Sequence, residues 1–168
     1  MDKNKDKYQR NWIQKALLNF TSSKIGARIS SRILHPLDKA VLKLTKNSSS
    51  LTSILSGIPV IVLTTIGARS GEPRTVPLLG VIKDGKIFLI ASNWGQKHHP
   101  GWYYNLKKNK EAQLSIGKEK GHYIARDATY AEREEYWIIA VRMYPGYAEY
   151  KKRITSRKIP MFILSPKG

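Results

Sequence analysis

Between Pro59 and Leu164 the chain carries six short apolar runs, rich in β-branched residues and separated by turn signals. Pro59 to Ile66 leads through the turn-rich segment Gly67 to Pro73 into Arg74 to Ile82, and Asp84-Gly85 then marks a tight hairpin into Lys86 to Ala91. Ala112 to Ile116 and His122 to Ala128 form a second pair around Gly117 to Gly121, and Ile159 to Leu164 supplies a last strand. Helical patterns fall between some of these runs. One covers Pro100 to Lys108, with Pro100 suited to a first turn. Another opens at the capping-box pattern Thr129-Tyr130-Ala131-Glu132, and its Tyr136, Trp137, Ala140, Val141 and Tyr144 share a face. A doubly wound nucleotide fold needs strands alternating regularly with helices, and this chain lacks that alternation. Hairpin-linked strands with inserted helices fit a mainly β fold, a mostly antiparallel barrel with helical additions.

The chain before Gly57 has a different period. Trp12, Ile13, Ala16, Leu17 and Phe20 recur on one helical face behind Asn11, a suitable cap. Ile25, Ile29 and Ile33 repeat every fourth residue, and Pro36 predicts a break there. Leu37, Val41 and Leu44 give a third stripe flanked by Lys39, Lys43 and Lys46, before a loop at Asn47 to Ser50. The expected organisation is therefore basic amphipathic helices over residues 1–57 and a barrel over 58–168.

Charge narrows the partners. The 168 residues carry 30 basic and 12 acidic side chains, a formal +18. Residues 1–57 hold 11 basic and 3 acidic groups, so the excess is spread along the chain and is not confined to one tail. Such an excess implies a polyanionic partner: nucleic acid, an anionic membrane or a multiply charged small molecule. No cysteine is present, which excludes thiol nucleophiles, thiolate metal sites and disulfides. The longest apolar run, Ile58 to Leu63, is far short of the roughly 20 residues that span a bilayer. No secretory signal is evident, so the expected location is cytoplasmic, with peripheral contact at the inner membrane face.

Gly67-Ala68-Arg69-Ser70-Gly71-Glu72-Pro73-Arg74 is the most informative segment. Two glycines let backbone amides converge on an anion, and Arg69 and Arg74 can bond a phosphate; a hairpin turn with solvated arginines is the plainer alternative. No Gly-Lys-Ser/Thr follows, so this is not a Walker loop. Ala91 to Pro100 leaves a strand and enters a helix, a junction at which small polar groups can meet the edge of a flat ligand. Trp102 reads as a core residue at that helix start. His98 and His99 are adjacent and point apart, with no third ligand nearby in sequence, so no metal site is expected. Tyr144, Tyr147 and Tyr150, spaced by three, lie along one edge of a helical segment, either walling a pocket or forming a half-buried stripe. No serine elbow and no convincing carboxylate pair is present.

These motifs together resemble one known family. Ile61 to Arg74 (IVLTTIGARSGEPR), Pro77-Leu78, Ala91-Ser92, Pro100 to Asn105 (PGWYYN), Ala125 to Thr129 (ARDAT) and Met143 to Tyr150 (MYPGYAEY) are similar to the deazaflavin-dependent nitroreductases, also described as F420-dependent quinone reductases. The match spans roughly residues 58–166 in one order. The resemblance implies a split β-barrel of the FMN-binding type, holding the reduced 8-hydroxy-5-deazaflavin coenzyme F420 and passing its hydride to a quinone, a nitro compound or an activated alkene such as an enone. It also gives the charge a partner, since this coenzyme carries a phosphate and an oligoglutamate tail.

By that resemblance, Arg69, Ser70 and Arg74 hold the phosphate. Val76, Pro77, Leu78 and Leu79 line the ring, while Ile90, Ala91, Ser92 and Asn93 complete the opposite edge. Gly101, Trp102 and Asn105 close the ring site, Tyr147 flanks it, and Ser92, Tyr144, Tyr147 and Tyr150 face the acceptor. Ser92 and Tyr147 are the candidate catalytic donors. Four positions depart from the best-known family pattern: Ala68 stands where a basic residue is frequent, Asn93 where a lysine can reach the phosphate, Leu79 at a position that can be aromatic, and Trp94 in place of a glycine. Rival readings are a nucleic-acid-binding barrel stacking bases on Trp94, Trp102, Tyr103 and Tyr104, a coenzyme carrier with little turnover, and a flavin mononucleotide enzyme, whose motifs match less closely.

Overall fold

The computed structural model describes residues 11–44, 58 and 60–168. The loop expected at Asn47 to Ser50, Lys46 and the boundary at Gly57 lie outside the described residues. Six strands close into an antiparallel barrel in the order β1-β2-β3-β6-β5-β4. These are β1 (Val60–Ile66), β2 (Pro73–Lys83), β3 (Lys86–Ile90), β4 (Glu111–Ile116), β5 (Glu119–Asp127) and β6 (Met161–Pro166). Among the described residues five α-helices accompany them: α1 (Trp12–Ser22), α2 (Lys24–Leu44), α3 (Gly101–Lys108), α4 (Tyr130–Met143) and α5 (Gly146–Arg153). The mainly β, split-barrel expectation holds.

Strand alternation divides the apolar residues between two cores. Ile61, Leu63, Ile87, Leu89, Phe162 and Leu164 point into the barrel, where Trp102 and Leu106 of α3 plug one end. The opposite faces, with Phe88, Ile90, Met161 and Ile163, pack against Tyr136, Ala140 and Met143 of α4 and the tyrosines of α5. Phe88 stacks on Tyr136 at 4.5 Å between ring centroids.

β2 is the element that shapes the site. It pairs with β1 through Pro73 to Leu79 and with β3 only from Gly80 to Lys83. The far edge of residues 73–79 therefore has no strand beside it, and the barrel is split there. Gly80 sits where the pairing changes hands, because a Cβ would run into Ile61 and Leu89.

The capping box at Thr129 forms as its pattern requires. Thr129 Oγ1 accepts from the Glu132 amide at 3.3 Å, and Glu132 Oε2 accepts from the Thr129 amide at 2.8 Å. The Arg126 guanidinium grips the same carboxylate at 2.5 and 2.8 Å. That grip, with the Thr129 bonds, pulls the Glu132 pKa from 4.5 to about 2. A value depressed by folding contributes stability that is present above pH 4.5 and lost as pH falls toward 2. Glu132→Gln is accordingly expected to melt below wild type at about pH 7, with the gap narrowing as pH falls below 4.5 and closing only near about pH 2 in circular-dichroism melts. A gap of constant size would contradict this linkage.

The N-terminal helices depart from the expectation in two ways. α2 runs unbroken through Pro36, so the second and third stripes lie on one helix. Proline removes a single donor, and the bond it forfeits faces the exposed turn at Arg32, where water can meet the carbonyl. The regular apolar faces are also not the buried ones. α1 buries Leu18, Thr21 and Ser22, while α2 buries Gly26, Ala27 and Ser30, so small residues make the close contacts. Trp12, Ile13, Phe20, Ile25, Ile29, Ile33 and Leu37 remain exposed.

Candidate functional site

One cavity of about 1580 Å³ opens along the unpaired edge of β2. Arg69, Ser70, Arg74, Val76, Pro77, Leu78, Leu79, Ile90, Ser92, Asn93, Gly101, Trp102, Asn105, Tyr144, Tyr147 and Tyr150 all line it. Residues separated by up to 81 positions are thus brought to one place. Ala91 is the exception: it is fully buried in the barrel core and off the lining.

The cavity has two unlike ends. At its mouth stand Arg69, Arg74, Lys107 and Lys108, and no carboxylate occurs among the described lining residues. The loop carrying the arginines is built from both sides. Gly67 and Gly71 close it by a Gly71 amide to Gly67 carbonyl bond of 2.9 Å, with Gly71 at φ 72° where a side chain would be strained. Asn105 pins it from α3: its Oδ1 accepts from the Ala68 amide at 2.9 Å, and its Nδ2 donates to Thr65 Oγ1 at 2.9 Å. Lys108 Nζ donates to the Ala68 carbonyl at 2.7 Å, placing a cation beside the position where the family pattern has a basic side chain. Arg74 is exposed and, among the described residues, its guanidinium bonds only Ser70 Oγ, at 3.3 Å, which leaves donors to meet an anion. Lys107 is partly engaged, 3.1 Å from Asp127.

The inner end is apolar and aromatic. Tyr144 caps α4, Pro145 breaks the chain, and Tyr147 and Tyr150 follow on α5; the three tyrosines do not share one helix, yet their rings meet edge to face. Tyr144 and Tyr150 hydroxyls are 2.7 Å apart and tie to α1 through Thr21, whose Oγ1 accepts from Tyr144 and whose carbonyl accepts from Tyr150, each at 3.2 Å. Tyr147 donates to the Leu79 carbonyl through a long 3.3 Å bond. Burial, with Tyr144 close by, pushes the Tyr147 phenol well above its ordinary value, so it stays protonated and acts as a hydrogen-bond donor. The Ser92 side chain lines the cavity, and its hydroxyl has no partner among the described residues.

Three contributors carry no sequence signal that singles them out. Thr21, with Leu17 and Leu18, makes α1 a wall of the cavity. Thr65 supports Asn105 from within β1. Arg157 bonds the 91–99 segment from the α5–β6 connection. Of the four rings offered for base stacking, Trp102 is buried against Phe162 and only Tyr104 is exposed. His99 stacks on Tyr103 at 4.3 Å and lies 3.1 Å from Arg157 Nη1; burial and that guanidinium lower its pKa.

An antiparallel barrel split along β2, with a basic mouth and an aromatic inner wall, defines a split-barrel protein. The family model for F420H(2)-dependent quinone reductases matches residues 39–166. The chain belongs to that family, an oxidoreductase family whose cofactor is coenzyme F420. It is 34% identical over 113 residues to an F420H(2)-dependent quinone reductase of Mycobacterium tuberculosis, covering 64% of this chain and 73% of the relative. A solved F420-H2 dependent reductase is 42% identical, with a TM-score of 0.59 over 64% of this chain and 94% of its own. A second solved chain, described as a domain-swapped dimer, is 34% identical, with a TM-score of 0.61 over 76% of this chain and 95% of its own.

Proposed function

We propose that this protein reduces a quinone, nitro compound or activated alkene with coenzyme F420 held in the split of the barrel. The carrying observation is the polarity of the cavity: four cations and no carboxylate among the described lining residues at its mouth, apolar and aromatic groups within. The coenzyme fits that donor set. Its phosphate and acidic tail match Arg69, Arg74, Lys107 and Lys108, and the unpaired β2 edge offers main-chain donors and acceptors to a heteroaromatic ring.

When bound, the reduced coenzyme supplies a hydride to the acceptor. Everything else falls to positioning by this chain. Arg69, Ser70 and Arg74 anchor the anionic part. Val76 to Leu79 on one side, and Ile90, Ser92 and Asn93 on the other, fix the ring plane, with Gly101, Trp102 and Asn105 closing it. Leu17, Leu18 and the tyrosines exclude water from the acceptor. Ser92 donates a hydrogen bond to the acceptor oxygen as negative charge gathers on it, and Tyr147 joins it by turning its hydroxyl away from the long 3.3 Å bond to the Leu79 carbonyl. Tyr147, held protonated, stabilises that charge without surrendering its own proton, and the proton that completes the reduction is taken from solvent as the product leaves.

Fluorescence titration with coenzyme F420 against flavin mononucleotide, then anaerobic turnover with menadione, tests the reading. Preference for F420 and turnover are expected, and Tyr147→Phe is expected to lower kcat about tenfold with little change in coenzyme affinity. Binding of neither cofactor, or binding without turnover, would overturn it.

We further propose that residues 1–57 dock the barrel of residues 58–168 on an anionic bilayer from which a lipid-soluble acceptor enters. Supporting this, seven large apolar side chains stand exposed on α1 and α2, with Trp12 77% and Ile25 71% exposed. Exposed Lys15, Lys24, Arg28 and Arg32 flank them, and Asp38 is the single acidic residue between 11 and 44. No helix among the described residues is long and apolar enough to cross a membrane. Co-sedimentation is expected with phosphatidylglycerol vesicles and not with phosphatidylcholine vesicles, and Ile25→Asp/Ile29→Asp should abolish it. Equal recovery with both lipids would contradict the charge argument, and self-association in their absence would assign the face to a second copy.

A further inference from the structure

Between β3 and α3 the backbone takes a conformation that its side chains do not favour. Asn93, Trp94 and Gly95 lie at φ 51°, 57° and 77° in succession. Glycine adopts this region freely and asparagine tolerates it, but a tryptophan held there is strained, because its Cβ crowds the following carbonyl. The turn's own bonds are few: the Gly95 amide donates to Ser92 O at 3.1 Å, the Gln96 amide to Asn93 O at 3.0 Å, and Asn93 Nδ2 to His98 O at 3.0 Å.

Arg157 supplies what the turn lacks. Its Nη2 donates to Ser92 O at 2.9 Å and to Gln96 O at 3.1 Å, its Nε to Gln96 O at 3.2 Å, and its Nη1 to Ala91 O at 3.2 Å. One planar guanidinium thus grips carbonyls on both flanks of the strained residues. It forms no ion pair among the described residues, so its donors are committed to main chain and to His99. Burial lowers its pKa from the ordinary guanidinium value, yet it remains a cation. Arg157 is not on the cavity lining, whereas Ser92, Asn93, Trp94 and Gln96 are.

We infer that Arg157 is a positioning residue of the site: it clamps the left-handed turn at both ends and thereby sets where Ser92 and Asn93 stand in the cavity wall. It acts through the turn and touches no ligand. The inference rests on the reading that this cavity takes coenzyme F420. An ammonium offers a compact charge without the fork, so Arg157→Lys keeps the cation and loses the two-sided grip.

The test compares wild type with Arg157→Lys, and with Arg157→Gln as a second variant. Amide hydrogen exchange, read by mass spectrometry on the full chain without coenzyme, is expected to quicken about tenfold in peptides spanning residues 92–99 while peptides from β1 and β3 stay protected. Fluorescence titration is expected to show the dissociation constant for coenzyme F420 rising about tenfold in the same variants. Unchanged exchange at 92–99, uniform loosening of the barrel, or unchanged coenzyme affinity in a loosened variant would each overturn the positioning role. Failure of both variants to fold would overturn it too, assigning Arg157 to the core scaffold. Wild-type protein that does not bind F420 would overturn the functional reading instead, with the exchange result still deciding whether the clamp exists.

Discussion

Replacing Arg74 with alanine is expected to raise the dissociation constant for coenzyme F420 by about 10- to 100-fold, the loss that goes with one to two charge-assisted hydrogen bonds. The fold should hardly notice. Arg74 is exposed, and its recorded bond is a single 3.3 Å contact with Ser70 Oγ, so the melting temperature is expected within about 2 °C of wild type. Arg74→Lys should recover part of the affinity, because an ammonium keeps the charge but not the fork. Affinity should also fall as salt rises, less steeply in Arg74→Ala, since one fewer cation contributes to the attraction. Equilibrium fluorescence titration at two ionic strengths reads both effects. Unchanged affinity in Arg74→Ala would remove this arginine from the anion site.

The second large effect is expected at Asn105, where affinity and stability should fall together. Its amide is buried and joins the Ala68 amide to Thr65 Oγ1, both at 2.9 Å. Asn105→Ala leaves two polar groups without their partner, a cost of about 2–4 kcal/mol and roughly 5–15 °C in melting temperature. The Gly67 to Gly71 loop loses its tether to α3 at the same time, so Arg69 and Arg74 lose their fixed placement and coenzyme affinity should drop with them. This pairing separates Asn105 from Arg74: one variant loses stability and binding, the other binding alone. A destabilised Asn105→Ala that binds coenzyme as tightly as wild type would show that loop placement does not govern affinity.

The contrast between these residues reflects what a sequence displays. The barrel was legible because strand alternation and the Asp84-Gly85 and Gly117 turns are local signals, and the structure closes the strands on them. The cap at Asn11 and the capping box at Thr129 were legible for the same reason; that Gln14 completes a box at Asn11 shows only in the structure. The arrangement of α1 and α2 was not, because periodicity marks an apolar face without saying what covers it. Here the small residues Gly26, Ala27 and Ser30 pack inward and the isoleucines face out. Pro36 misled in a related way, since a helix facing solvent tolerates one missing donor. Within the site, family motifs drew attention to residues that touch the cavity. Thr65 lies within the motif Ile61 to Arg74 yet drew no role, and Arg157 sits in ordinary surroundings, SRKI; the partners of both are fixed only when distant segments meet.

Trp94 shows why departures from a pattern are informative. By the resemblance it stands where a glycine is expected, and its φ of 57° is the value a glycine would take without strain. A tryptophan is strained there, and Arg157 bonds the carbonyls on either side of it.

A crystal structure of the complex with coenzyme F420 tests the central claim most directly. The phosphate should lie within hydrogen-bond distance of Arg69 and Arg74, with the deazaflavin ring along Val76 to Leu79 and the acceptor face turned toward Ser92 and Tyr147. A coenzyme bound outside the split of the barrel, or both arginines directed into solvent with the coenzyme in place, would contradict it.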